Sequence, residues 1–208
     1  DHTGGNGFFD TVYATRGVAA SAKNTMGADP ASYPLNYEFT FIEDGDILNP
    51  GGRPLQVIML GCHSPEDIVI LDVRNRILFS GDEVESGQVL LLPGYAEMPG
   101  QIHAAPAATV EAYLAALRRL KAMESAFDFI CPGHNGTPMD NIYLDWFILL
   151  CDKILNGKIV GSVACSSPSY NTRDAHFPYP GAGYRRAEYK GAALVYCREL
   201  LRNEDTAM

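Results

Sequence analysis

Five residues able to hold a metal ion stand at loops or at the ends of elements. Asp1 and His2 open the chain, His63 lies in Gly61-Cys62-His63-Ser64-Pro65, Asp82 in Ser80-Gly81-Asp82, and His134 in Pro132-Gly133-His134. Imidazole and carboxylate together are a usual donor set for zinc, and they also suit iron or manganese. Three of these residues follow strand-like runs: 55–60 (LQVIML), 77–80 (ILFS) and 127–131 (FDFIC). Sites in α/β proteins gather at the carboxyl ends of strands, where a neighbouring glycine lets the backbone turn sharply. Taken singly, Asp1 reads as a helix cap, Asp82 as a turn residue, and His63 and His134 as turn or core histidines. The threefold repetition of strand, glycine and ligand is what points to a site.

The elements that must position these residues follow from the same text. Further strands are expected at 11–15 (TVYAT) and 67–73 (DIVILDV), and the apolar, β-branched runs suggest strands buried on both faces. Phe8 and Phe9 are expected to pack inward beside a short helix. Val110, Tyr113, Leu114, Leu117 and Leu120 recur at helical spacing, which predicts a helix over 106–123 with Pro106 in its first turn. A second helix is expected over 139–156, closed by Gly157. Residues 84–105 and 162–186 read as loops. Residues 192–197 (AALVYC) read as a strand, with a helix running to Asn203 as the competing reading. Strands alternating with helices predict an α/β layered fold. The domain expectation is one domain over 1–208, with 162–190 a substrate-facing loop region. His103, His176 and Tyr184 are further candidates for substrate contact, against surface or structural roles.

Composition narrows the partners. The 208 residues carry 16 Lys and Arg against 25 Asp and Glu, a net charge of −9, which disfavours a phosphate backbone as the main partner. A hydrophobic share of 47% excludes a disordered chain, and no apolar run approaches a membrane span. Five scattered cysteines without a CxxC suggest reduced thiols and a cytoplasmic location. A small-molecule substrate is therefore expected, with no nucleic acid and no membrane. Homo-oligomerisation is compatible with all of this. Cys62 is either a reactive thiol beside His63 or a small packed residue.

In the order and surroundings of its ligands the chain resembles the metallo-β-lactamase-fold hydrolase superfamily. Asp1-His2 matches the last two letters of that family's HxHxDH motif. Gly61-Cys62-His63-Ser64-Pro65 resembles the second ligand motif, Phe79-Ser80-Gly81-Asp82 the bridging aspartate, and Pro132-Gly133-His134 the last histidine. Cys62 and Glu66 depart from the commoner residues of the second motif. The resemblance implies a four-layer αββα sandwich, here N-terminally incomplete, with the HxH pair upstream of Asp1 and an upstream segment or second chain completing the fold. It also implies two divalent metal ions, zinc first with iron or manganese as alternatives. His63 and Asp82 would serve one, and Asp1, His2, Asp82 and His134 the other. Asp1 and Asp82 would carry catalytic roles, Asp1 by orienting the attacking hydroxide or passing its proton. The activity implied is metal-dependent hydrolysis of a thioester, lactone, ester or related acyl substrate. A true β-lactamase and the RNA-processing branches are disfavoured. The alternatives are a diiron redox protein of the same fold and an inactive domain that binds a partner chain.

Overall fold

The computed structural model describes residues 5–19, 36–91, 108–136, 138–163 and 183–203. The chain divides into two compact units, 1–46 and 47–208. In the first, β1 (Val12–Ala14) pairs in parallel with β2 (Phe39–Phe41), and α1 (Arg16–Ala19) follows β1. The Arg16 guanidinium lies 4.5 Å over the Phe41 ring. Phe8 and Phe9 do not pack inward: each is 68% exposed, beside a single 3₁₀ turn with no buried face of its own.

The second unit is built on a six-stranded sheet. Its strands are β3 (Ile47–Leu48), β4 (Leu55–Met59), β5 (Ile68–Asp72), β6 (Ile77–Gly81), β8 (Phe129–Pro132) and β9 (Met139–Asp140), in that spatial order. The pairings are antiparallel except β6 with β8, which are parallel and joined through α2 (Val110–Ala122). A parallel neighbour needs such a crossover, because a tight turn can only reverse the chain. One face of the sheet carries Ile58, Val69, Leu71, Leu78, Ile130 and Met139 into a single core. The apolar stripes of α2 (Tyr113, Leu117, Leu120) and α3 (Ile142–Leu155; Phe147, Leu150, Ile154) fill the same core.

The other face is covered unevenly: Val57 and Asp72 on it are fully buried, while its β6 and β8 positions are open. Phe79 is 39% exposed and Phe129 51% exposed, so the expectation of strands buried on both faces fails for β6, and the same face of β8 is open beside it. Side chains alternate across a strand, and an apolar run alone does not say whether both faces are covered. The parallel β6–β8 ladder is also irregular. Phe79 pairs with Cys131 and Gly81 with Pro132, which leaves Ser80 as an extra residue in a bulge.

Both long helices begin later than the sequence suggests. Thr109 caps α2 by accepting the Ala112 N–H at 3.0 Å, while residues 101–107, with Pro106, lie outside the described residues. Met139 and Asp140 pair with β8 as β9, and the Asp140 carboxylate accepts the Ile142 N–H at 2.8 Å, so α3 starts at Ile142. A second, four-stranded sheet has the order β10 (Ser162–Val163), β11 (Tyr184–Tyr189), β12 (Ala192–Cys197), β7 (Val89–Leu90). The strand reading of 192–197 is thereby met, while β7, β10 and β11 lie in segments expected to be loops. Pairing with β12 recruits β7 and β11, and β11 in turn recruits β10, which is tertiary context rather than local preference. No helix among the described residues is long and apolar enough to cross a membrane.

Candidate metal centre

Three strands of the six-stranded sheet end at one edge, and each delivers one predicted ligand. After β4 the chain turns at Gly61, whose φ of +64° belongs to the left-handed region, and a Cβ there would stand 2.6 Å from the Pro65 carbonyl oxygen. The turn is closed by Asp67, whose carbonyl accepts the Leu60 and Gly61 N–H groups and whose carboxylate accepts that of Ser64. His63 is presented from this turn. Asp82 directly follows β6. His134 follows β8, where the Gly133 N–H donates to the Gly81 carbonyl at 2.8 Å and ties the two strand ends together. A Cβ on Gly133 would meet Asp82 Oδ1 at 2.6 Å, so glycine is required for the carboxylate to sit where it does.

The geometry converges on one atom. His63 Nε2 and His134 Nε2 each lie 3.6 Å from Asp82 Oδ2. That is too long for a good hydrogen bond. Two donors at bond lengths of about 2.0–2.2 Å from one tetrahedral cation are separated by about 3.3–3.6 Å. His63 Nδ1 is 3.0 Å from the Leu90 carbonyl oxygen. A carbonyl only accepts, so the proton belongs on Nδ1 and the Nε2 lone pair faces Asp82, the tautomer a metal ligand needs. The donor set and its spacing thus fit a divalent cation. It is a partial set: among the described residues, no group of three or more His, Cys, Asp or Glu side chains closes into a metal-holding cluster. Asp1, His2, His103 and His176 lie outside the described residues. Tyr184 is buried on β11 and packs with Leu90 and Val195.

Sequence reasoning passed over the residues that hold this edge in place. Glu83 is fully buried, and its Oε1 accepts the backbone N–H groups of Cys62 at 2.7 Å and His63 at 3.0 Å. Burial pushes its carboxyl up to about 8 against these two hydrogen bonds, and the nearby Asp67 and Asp82 charges push the same way. Burial likewise lifts Glu85 to about 7, although the Asn135 amide donates to it. Ser86 Oγ donates to the Asn135 carbonyl at 2.7 Å. Gly87 and Gly136 leave room for this clamp, since a Cβ would meet Asn135 Nδ2 at 2.3 Å or Ser86 Oγ at 2.8 Å. The chain from 83 to 87 therefore grips both histidine loops. The one sequence signal was an acidic run, Asp82-Glu83-Val84-Glu85, placed directly after a core strand. Cys62 is buried, and burial followed by the Glu83 and Asp67 charges pushes its thiol up to about 12, so it is a packed residue and not a thiolate.

Acyl-coenzyme A thioesterase MBLAC2 from Homo sapiens and from Bos taurus is 41% identical over 49 residues, 24% of this chain and 18% of the relative. The chain thus matches under a fifth of the length of these curated relatives. Among solved structures, a metallo-beta-lactamase family protein from Thermus thermophilus aligns with a TM-score of 0.50 at 15% identity, covering 77% of this chain and 60% of that one. The metallo-beta-lactamase from Pontibacter korlensis aligns with a TM-score of 0.45 at 22% identity, covering 67% and 57%. The Metallo-beta-lactamase superfamily model matches residues 1–134, which contain His63, Asp82 and His134, and the chain belongs to that generally hydrolytic superfamily.

Proposed function

We propose that this chain is a metal-dependent hydrolase of small acyl substrates, with thioesters as the leading class. The observation that carries the reading is the convergence of His63 Nε2 and His134 Nε2 on Asp82 Oδ2 at 3.6 Å each. His63, Asp82 and His134 would hold the metal, zinc in this reading and two ions if the family pattern is complete. Asp1 and His2 remain candidate ligands on the strength of their motif alone. When bound, a divalent cation supplies Lewis acidity and lowers the pKa of water. The chain's own part is preorganisation. The Leu90 carbonyl keeps the proton on His63 Nδ1, and the tie between Gly133 and Gly81 holds the Asp82 and His134 strand ends together. An edge fixed in this way need not reorganise when charge develops on a substrate oxygen. The thioester preference rests on the short match to the acyl-coenzyme A thioesterases.

Elemental analysis of the purified protein, paired with release of free thiol from acyl-coenzyme A substrates, tests the proposal. Bound zinc with thiol release that stops on chelation and returns with zinc is the expected result. Iron with no hydrolysis would replace this reading by the redox one. Hydrolysis of a lactone or oxygen ester but not of a thioester would keep the enzyme class and change the substrate.

A further inference from the structure

We infer that Glu83 is the positioning residue of the metal centre, holding His63 at its distance from Asp82 by accepting both amide protons of the loop that carries it. The inference rests on the metal-dependent reading above and adds a residue that the ligand motifs do not contain. Glu83 directly follows Asp82, so its backbone is placed by the end of β6. Its carbonyl is held from the other side by the Tyr113 hydroxyl of α2, which donates to it at 2.8 Å. Its side chain then reaches back across the sheet edge to two consecutive N–H groups, those of Cys62 and His63. One ligand, Asp82, is its covalent neighbour, and the other is hydrogen-bonded to it through the main chain. The separation of the two ligands is set by one side chain.

The position is a costly one for a carboxyl group. Glu83 is fully buried, and among the described residues its Oε2 finds no hydrogen-bond partner. A polar atom in that state works against folding, and an apolar residue in its place would be free of the penalty. What an apolar residue could not do is accept the Cys62 and His63 amides in a loop forced through the left-handed turn at Gly61. With Leu90 fixing the ring and Glu83 fixing the main chain, His63 is held at both ends, as supporting groups around a metal ligand generally do.

Zinc titration against a chromophoric chelator, on the full chain and its Glu83→Ala and Glu83→Gln variants, tests this together with amide hydrogen exchange at residues 62 and 63. Glu83→Ala should weaken zinc binding about 10–100-fold and release both amides to exchange. Glu83→Gln keeps a carbonyl acceptor, so it should bind zinc within about threefold of wild type and protect both amides, with a lower melting temperature because its NH₂ takes the place of the unpartnered oxygen. Wild-type zinc affinity in a folded Glu83→Ala protein overturns the inference, as does a tenfold or greater loss in Glu83→Gln. If Glu83→Ala does not fold, the Gln variant decides by the same two readouts. Failure of the wild-type chain to bind zinc overturns the metal reading itself. Freely exchanging wild-type amides at 62 and 63 overturn the Glu83 assignment alone.

Discussion

Strand β6 runs between two aspartates in opposite situations. At its start, Asp72 (paired across the ladder with Ile77) is fully buried and its charge is closed off. The Arg53 guanidinium donates to it from Nε at 2.6 Å and pairs with it through Nη2, and Asn75 donates to it from its backbone at 3.0 Å and its side chain at 2.7 Å. At the strand's other end, Asp82 is set against two imidazoles at 3.6 Å. A carboxylate that meets a guanidinium and amide donors at hydrogen-bond length serves the fold. One that stands against two imidazole nitrogens at the separation of paired metal ligands is, in the function proposed above, placed to share a cation. The same residue type, closing β5 beside the start of β6 and following β6 at its far end, is set in two different surroundings by its neighbours.

Substitution can break that contrast. The largest effect is expected from Asp82→Asn, which should lower metal-dependent turnover about 100-fold or more, measured with saturating zinc. Next comes Gly133→Ala. Its new Cβ would stand 2.6 Å from Asp82 Oδ1, and the displaced carboxylate should weaken zinc binding about 10–100-fold in a chelator competition. Asp72→Ala should do the converse, costing about 2 kcal/mol in urea unfolding while leaving zinc affinity unchanged. If Asp72→Ala also weakens zinc binding, the two ends of β6 are not separable.

The smallest effect is one of pH. Burial would raise the Asp72 carboxyl, but the Asn75 hydrogen bonds and the Arg53 charge hold it down to about 2. Its folded value lies below the unfolded value of about 3.9, so the ionised form favours the folded state. That contribution is complete above about pH 4 and is lost as the pH falls toward 2. The stability difference between wild type and Asp72→Ala should therefore shrink over this window in urea unfolding. A difference that stays constant would mean that Asp72 acts by packing alone.

The meeting of His63, Asp82 and His134 at one sheet edge was legible because each of the three follows a β-prone run and stands near a glycine, a pattern that survives without knowledge of the fold. Glu83 was not legible. It stands at the edge of a segment that reads as a loop, and its burial depends on β4, β6 and α2 meeting around it, contacts separated by 20 to 30 residues in the chain. The core stripe of α2 was equally plain, since Val110, Tyr113, Leu114, Leu117 and Leu120 repeat at helical spacing and are all buried. The two-residue strands β7 and β9 were invisible for a different reason: two residues carry no period, and only the partner strand makes them strands. Phe79 shows a third kind of failure, in which residue type suggested burial and the layer arrangement did not supply it.

The bulge at Ser80 has a consequence for how this chain can vary. It advances β6 by one residue against β8 just before Asp82, and the Ser80 hydroxyl fastens it by donating to the Val84 carbonyl at 2.7 Å. Sheet parity has a period of two, so losing or gaining a single residue here would send the carboxylate to the opposite face. The stretch between Phe79 and Asp82 is accordingly fixed in length as well as in type, with the Ser80 hydroxyl in use and Gly81 at a φ of +52°. Among descendants of this sequence, a one-codon deletion here amounts to a frameshift in three dimensions.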